Sequence, residues 1–151
     1  MFLPYTRKFM QTCFDSENES KLYKAIGGIL YNDPLAKGKV YVLYGPCGSG
    51  KTSILNYIST LRDRVPNLII IGEISFRHET PELSNDEIIF TTTNKLPEHL
   101  EDWVVPISTT GKRMSFEDYC KFLNEMNLFS DEFFKKCMWE YSYDGFMRGE
   151  L

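Results

Sequence analysis

The chain has no surplus of positive charge: 17 Lys and Arg stand against 21 Asp and Glu in 151 residues, for a net charge of −4 and a pI near 5.2. A general electrostatic grip on nucleic acid or on an anionic membrane needs a basic face, so the composition argues against both and leaves room only for a local patch. Cysteine is equally sparse. Cys13, Cys47, Cys120 and Cys137 are widely spaced, form no CxxC pair and share no ligand spacing with the two histidines, His78 and His99. That pattern speaks against a zinc module and for reduced thiols over a disulfide framework. No run approaches 18 apolar residues, and the opening MFLPYTRKFMQTCF, with Pro4, Arg7 and Lys8, lacks the apolar centre of a signal peptide. The expectation is a soluble intracellular protein, cytoplasmic or nuclear, with no membrane partner.

What the chain does have is aromatic residues, 15% with eleven Phe and nine Tyr, and one motif that organises the reading. Gly45-Pro46-Cys47-Gly48-Ser49-Gly50-Lys51-Thr52 satisfies GxxxxGK[ST] in full. In such a phosphate-binding loop, glycines let the backbone turn its N–H groups inward around a polyphosphate, Lys51 reaches the β and γ phosphates, and the Thr52 hydroxyl coordinates Mg²⁺. Ser53 follows directly and completes the nucleotide-binding set. The expected ligands are therefore ATP and Mg²⁺.

The flanks agree with the motif. Residues 39–44 form a short, almost unbroken apolar run, as in a parallel strand buried on both faces. Ile54, Leu55, Ile58 and Leu61 then keep helical spacing, so bound phosphates would meet a helix N-terminus. Before the strand, Ser16 and Glu19 suggest a capping box for a helix with the stripe Leu22, Ile26, Ile29 and Leu30, weakened by Gly27 and Gly28. Residues 1–15 show no clear period. Residues 68–71 and 87–93 read as two further strands separated by a polar stretch at 78–86. Near the end, Ser115 and Asp118 cap one helix carrying Phe116, Tyr119, Cys120, Leu123 and Met126, and a second starts near Ser130 with Phe133, Phe134, Cys137, Met138 and Tyr141. These stripes are expected to pack onto the sheet, and residues 143–151 to form a loose tail. The fold class is α/β: one domain over residues 1–151, a three-layer P-loop NTPase sheet of short parallel strands with its core at 20–107 and a C-terminal helical part at 115–142.

Hydrolysis asks for more than binding. A P-loop enzyme generally holds an acidic residue at the end of a neighbouring strand to engage Mg²⁺ and orient water. Here Leu68-Ile69-Ile70-Ile71-Gly72-Glu73 has Gly72 where the metal-holding Asp is usual, and Glu73 is the candidate to polarise water. The third strand ends Thr91-Thr92-Thr93-Asn94, which sets an amide on the edge of the sheet that carries the phosphate loop. Asn94 there can hydrogen-bond the γ phosphate or the attacking water. The candidate catalytic set is Lys51, Glu73 and Asn94.

GPCGSGKT after VYVLY, together with IIFTTTN before KLPEHL, resembles the AAA+ ATPases, with the superfamily 3 viral and plasmid helicases as close relatives. The resemblance implies an ATPase fold, a sensor 1 role for Asn94 and a homo-oligomer in which a neighbour's arginine completes the site. The chain departs from that pattern in being short. Lys51 and Thr93 lie only 42 positions apart, so either residues 68–71 are the second strand and the Walker B strand is lost, or they are the Walker B strand and the second is absent. Arg113 is the one arginine between Asn94 and the final helices, as an arginine finger or as a solvated basic turn. Three functions stand: a reduced AAA+-like ATPase, slow or dependent on assembly; a non-hydrolysing nucleotide-binding regulatory module; and a small phosphotransferase such as a nucleotide kinase. Nothing in the sequence identifies a nucleic-acid or protein substrate.

Overall fold

The computed structural model describes residues 3–46, 48, 50–72 and 86–147. Helices α1 (Pro4–Cys13) and α2 (Ser16–Leu30) precede strand β1 (Val40–Tyr44) and helix α3 (Lys51–Ser59). Strands β2 (Leu68–Ile71), β3 (Ile88–Thr93) and β4 (Val104–Ser108) follow, and helix α4 (Phe116–Met147) ends the described chain. The sheet has the order β2-β3-β1-β4 with every pairing parallel. The chain is therefore α/β, as expected, and its three expected strands fall where the apolar runs lie.

The fourth strand was not expected. Val104–Ser108 carries Pro106, which demotes a run of this kind. It survives because, among the described residues, it lies at the sheet edge with β1 as its one strand neighbour, and opposes Pro106 to Val42. The order also decides where residues 68–71 belong: they pair with β3, not with β1.

Alternation along the strands divides the core. Tyr41, Leu43, Ile88, Phe90 and Ile107 join one large cluster with the buried faces of all four helices. Val40, Val42, Ile89 and Val104 form a smaller cluster on the other face, with Leu96 and Leu100 packed against it. The strand period of two thus sends successive residues to two separate cores.

Four helical expectations need correction. Residues 4–13 form a helix despite their weak period: Pro4 occupies its first turn, and Phe9, Met10 and Cys13 are buried. The cap of α2 is Asp15, whose carboxylate accepts from the Asn18 amide at 2.8 Å, while Glu19 accepts from the Tyr23 hydroxyl instead of closing a capping box with Ser16. The helix of α4 extends to Met147, so the loose tail does not begin at 143. Its two expected limbs are present, meeting at Phe129, where φ −134° and ψ 32° break the helical path. Their stripes pack chiefly on α2 and α1 instead of directly on the sheet. Gly27 makes this possible, because a Cβ there would lie 2.3 Å from the Cys137 carbonyl oxygen.

Candidate nucleotide site

Because all four strands are parallel, their carboxyl ends share one edge, where ligands of open α/β sheets gather. The loop after β1, Gly72 after β2, Asn94 after β3 and the 109–115 segment after β4 all leave from that edge. They surround a cavity of about 530 Å³ whose lining includes Gly48, Gly50, Lys51, Thr52, Gly72 and Asn94.

The loop side is set by backbone geometry. Gly50 caps α3 at φ 91°, and Gly48 adopts φ 78°, conformations that residues with a Cβ rarely take. A Cβ on Gly50 would also lie 2.8 Å from the Phe9 ring. The first turn of α3 therefore borders the cavity, with Lys51, Thr52 and Ser53 in its lining. Lys51 is expected to be open to phosphate, but it is buried, at 6% exposure. Its ammonium donates to Gly45 O at 2.6 Å, Thr93 O at 3.1 Å and Asn94 Oδ1 at 2.6 Å. The residue thus bridges the ends of β1 and β3, and of these three acceptors Asn94 is the exposed one.

The facing wall comes from α1 and the chain after β4. Phe9, Cys13, Met114, Phe116 and Tyr119 give it an apolar, aromatic character. Thr110 ties it together, donating its amide to Cys13 O at 2.8 Å and its hydroxyl to Thr12 O at 2.6 Å. Phe9 stacks on Phe122 with centroids 3.9 Å apart, and the hydroxyls of Tyr119 and Ser53 meet at 2.6 Å, joining this wall to the loop helix. The start of α1 is capped from a distance: Glu125 of α4 accepts from the Tyr5 and Thr6 amides and the Thr6 hydroxyl. Burial pushes the Cys13 thiol up to about 11, so it contributes bulk here and not a thiolate.

Of the residues expected to act, Gly45, Pro46, Gly48, Gly50, Lys51, Thr52, Ser53 and Asn94 are brought to this edge. Cys47, Ser49 and Glu73 lie outside the described residues. Gly72 lines the cavity, and a Cβ on it would meet no atom of the described residues within 4 Å. Its carbonyl accepts a hydrogen bond from the Thr92 hydroxyl. Sequence reasoning did not find Phe9, Cys13 or Met114 as wall residues, and it placed Phe116 and Tyr119 only in a packing stripe.

No group of three His, Cys, Asp or Glu residues capable of holding a metal occurs among the described residues. Thr52, at the start of α3, is exposed toward the cavity, and its hydroxyl is the group that would contribute to a largely hydrated Mg²⁺. Comparison of the chain with protein-family models, curated proteins and solved structures finds no match.

Proposed function

We propose that the protein binds ATP with Mg²⁺ as a reduced, AAA+-like P-loop NTPase and hydrolyses it slowly. The observation that carries this reading is the convergence of the complete loop motif, the α3 N-terminus and Asn94 on one cavity at the carboxyl edge of a parallel sheet. A polyphosphate laid along the loop would accept from its amides and draw Lys51 Nζ away from Asn94, an exposed side-chain acceptor. The base would then lie toward Phe9, Met114 and Tyr119, where aromatic surface is available. The reading includes a three-layer P-loop sheet, for which the second core cluster supplies a buried far face.

Slow turnover follows from Gly72. The pairing of β2 with β3 supports the Walker B position for residues 68–71, and the side chain that would hold the metal there is missing. Thr52 and the phosphates would share Mg²⁺ with water, and Asn94, once released from Lys51, would orient the attacking water.

Calorimetric titration with ATP and Mg²⁺ tests this against Lys51→Ala. The wild type is expected to bind and the variant to lose about a hundredfold or more in affinity, with its helical circular dichroism retained. Equal affinities in two folded proteins would contradict the proposal.

A further inference from the structure

We infer that Arg113 acts in cis, as a positioning residue for the terminal phosphates bound by the loop of its own chain. This inference rests on the nucleotide-binding reading and replaces the neighbour's arginine that the family resemblance implies. Its basis is the approach of the Arg113 guanidinium to the loop: a Cβ built on Gly48 would lie 2.2 Å from Nη2, 2.7 Å from Cζ and 3.0 Å from Nε. The flat group therefore lies on Gly48, which has no side chain to hold it off.

The backbone that carries Arg113 is held on both sides. Thr109 donates its amide to Tyr44 O at 2.9 Å, at the end of the loop's own strand. Thr110 is bonded to Thr12 and Cys13, and the Lys112 amide donates to the Thr110 hydroxyl at 3.1 Å. Downstream, the Ser115 hydroxyl accepts from the Asp118 amide at 3.2 Å, and Tyr119 is bonded to Ser53. An arginine fixed in this way delivers its fork over the loop of its own chain, not outward to a second subunit.

The charge in the cavity fits such a role. Lys51, Lys112 and Arg113 all line it, and no carboxylate does so among the described residues. On a chain of net charge −4, this is a local concentration of positive charge facing a loop built for anions. A guanidinium pairs two phosphate oxygens at once, a geometry that an ammonium does not reproduce. Its contribution should therefore grow with the number of phosphates, and it should depend on the fork as well as on the charge.

The test is equilibrium binding of ATP, ADP and AMP in the presence of Mg²⁺ to wild type, Arg113→Ala, Arg113→Lys and Lys51→Ala, across a dilution series. Arg113 is exposed, so its variants are expected to fold, which circular dichroism checks. Arg113→Ala should lose about tenfold in ATP affinity and less than about twofold for AMP, with Arg113→Lys between it and wild type. The deficit should be the same at every dilution. Mixing Arg113→Ala with Lys51→Ala chains should not restore it, because in cis no chain then holds both residues. Unchanged ATP affinity, an equal loss for AMP, or recovery on mixing would each overturn the inference. A wild type that binds no ATP, matching Lys51→Ala, would overturn the nucleotide reading itself and this inference with it.

Discussion

The two walls of the cavity are built on different principles. The loop wall, Gly45, Pro46, Gly48 and residues 50–53 with Asn94, is a backbone device: positive-φ glycines, a helix start and one buried lysine that donates to two carbonyl oxygens and to Asn94. The facing wall, from α1 and residues 109–119, is a side-chain device, made of aromatic rings and held by hydrogen bonds between distant parts of the chain. A backbone device of this kind accepts almost any polyphosphate, because every N–H is alike. The side-chain wall is where a nucleoside would be told from a bare polyphosphate.

Gly50→Val should break this comparison outright. The new side chain meets both a φ of 91° and the ring of Phe9, which moves the start of α3 and the facing wall together. Binding of ATP and of tripolyphosphate should fall below detection, and Tm should drop. Retention of either affinity would mean that the two walls are not coupled through this glycine.

Glu125→Ala should separate the walls. It strips the cap from α1 without touching the loop, at a cost of about 1–2 kcal/mol in urea unfolding. ATP affinity should fall several-fold while tripolyphosphate affinity holds, and parallel losses would contradict the division of labour. Gly72→Asp adds an acid at the loop end of the cavity, where a side chain has room. Steady-state phosphate release should rise several-fold with Mg²⁺ present, and an unchanged rate would place the limit on hydrolysis elsewhere.

The difference between the walls also explains what could be read in advance. The loop wall is local in sequence, so eight consecutive residues declare it, and Asn94 is found by its place at the end of a β-branched strand. The facing wall is assembled from residues about a hundred positions apart, such as Cys13 with Lys112, and no spacing rule reaches across that distance. Helix α1 was hidden because its ten residues mix Arg7, Lys8 and Gln11 with the buried Phe9, Met10 and Cys13. Strand β4 was hidden by Pro106, whose tolerance depends on an edge position that only the assembled sheet defines. The burial of Lys51 was equally out of reach, since its acceptor Asn94 comes from a different strand.

The smallest effect concerns Cys13 of the facing wall. With its pKa raised to about 11 by burial, Cys13 stays protonated and unreactive at neutral pH, and should alkylate only as the pH climbs toward that value or the chain unfolds. The exposed Cys120 should react before the buried Cys13. Peptide mapping after brief iodoacetamide treatment at pH 7.5 checks the order, and faster modification of Cys13 would show that the wall opens readily.

The most direct measurement is a crystal structure with a non-hydrolysable ATP analogue and Mg²⁺. The account predicts polyphosphate along the loop, Lys51 Nζ transferred from Asn94 to phosphate, Mg²⁺ on Thr52, and the base against Phe9 and Tyr119. An analogue bound away from this cavity, or Lys51 still held by Asn94 with the nucleotide in place, would contradict it.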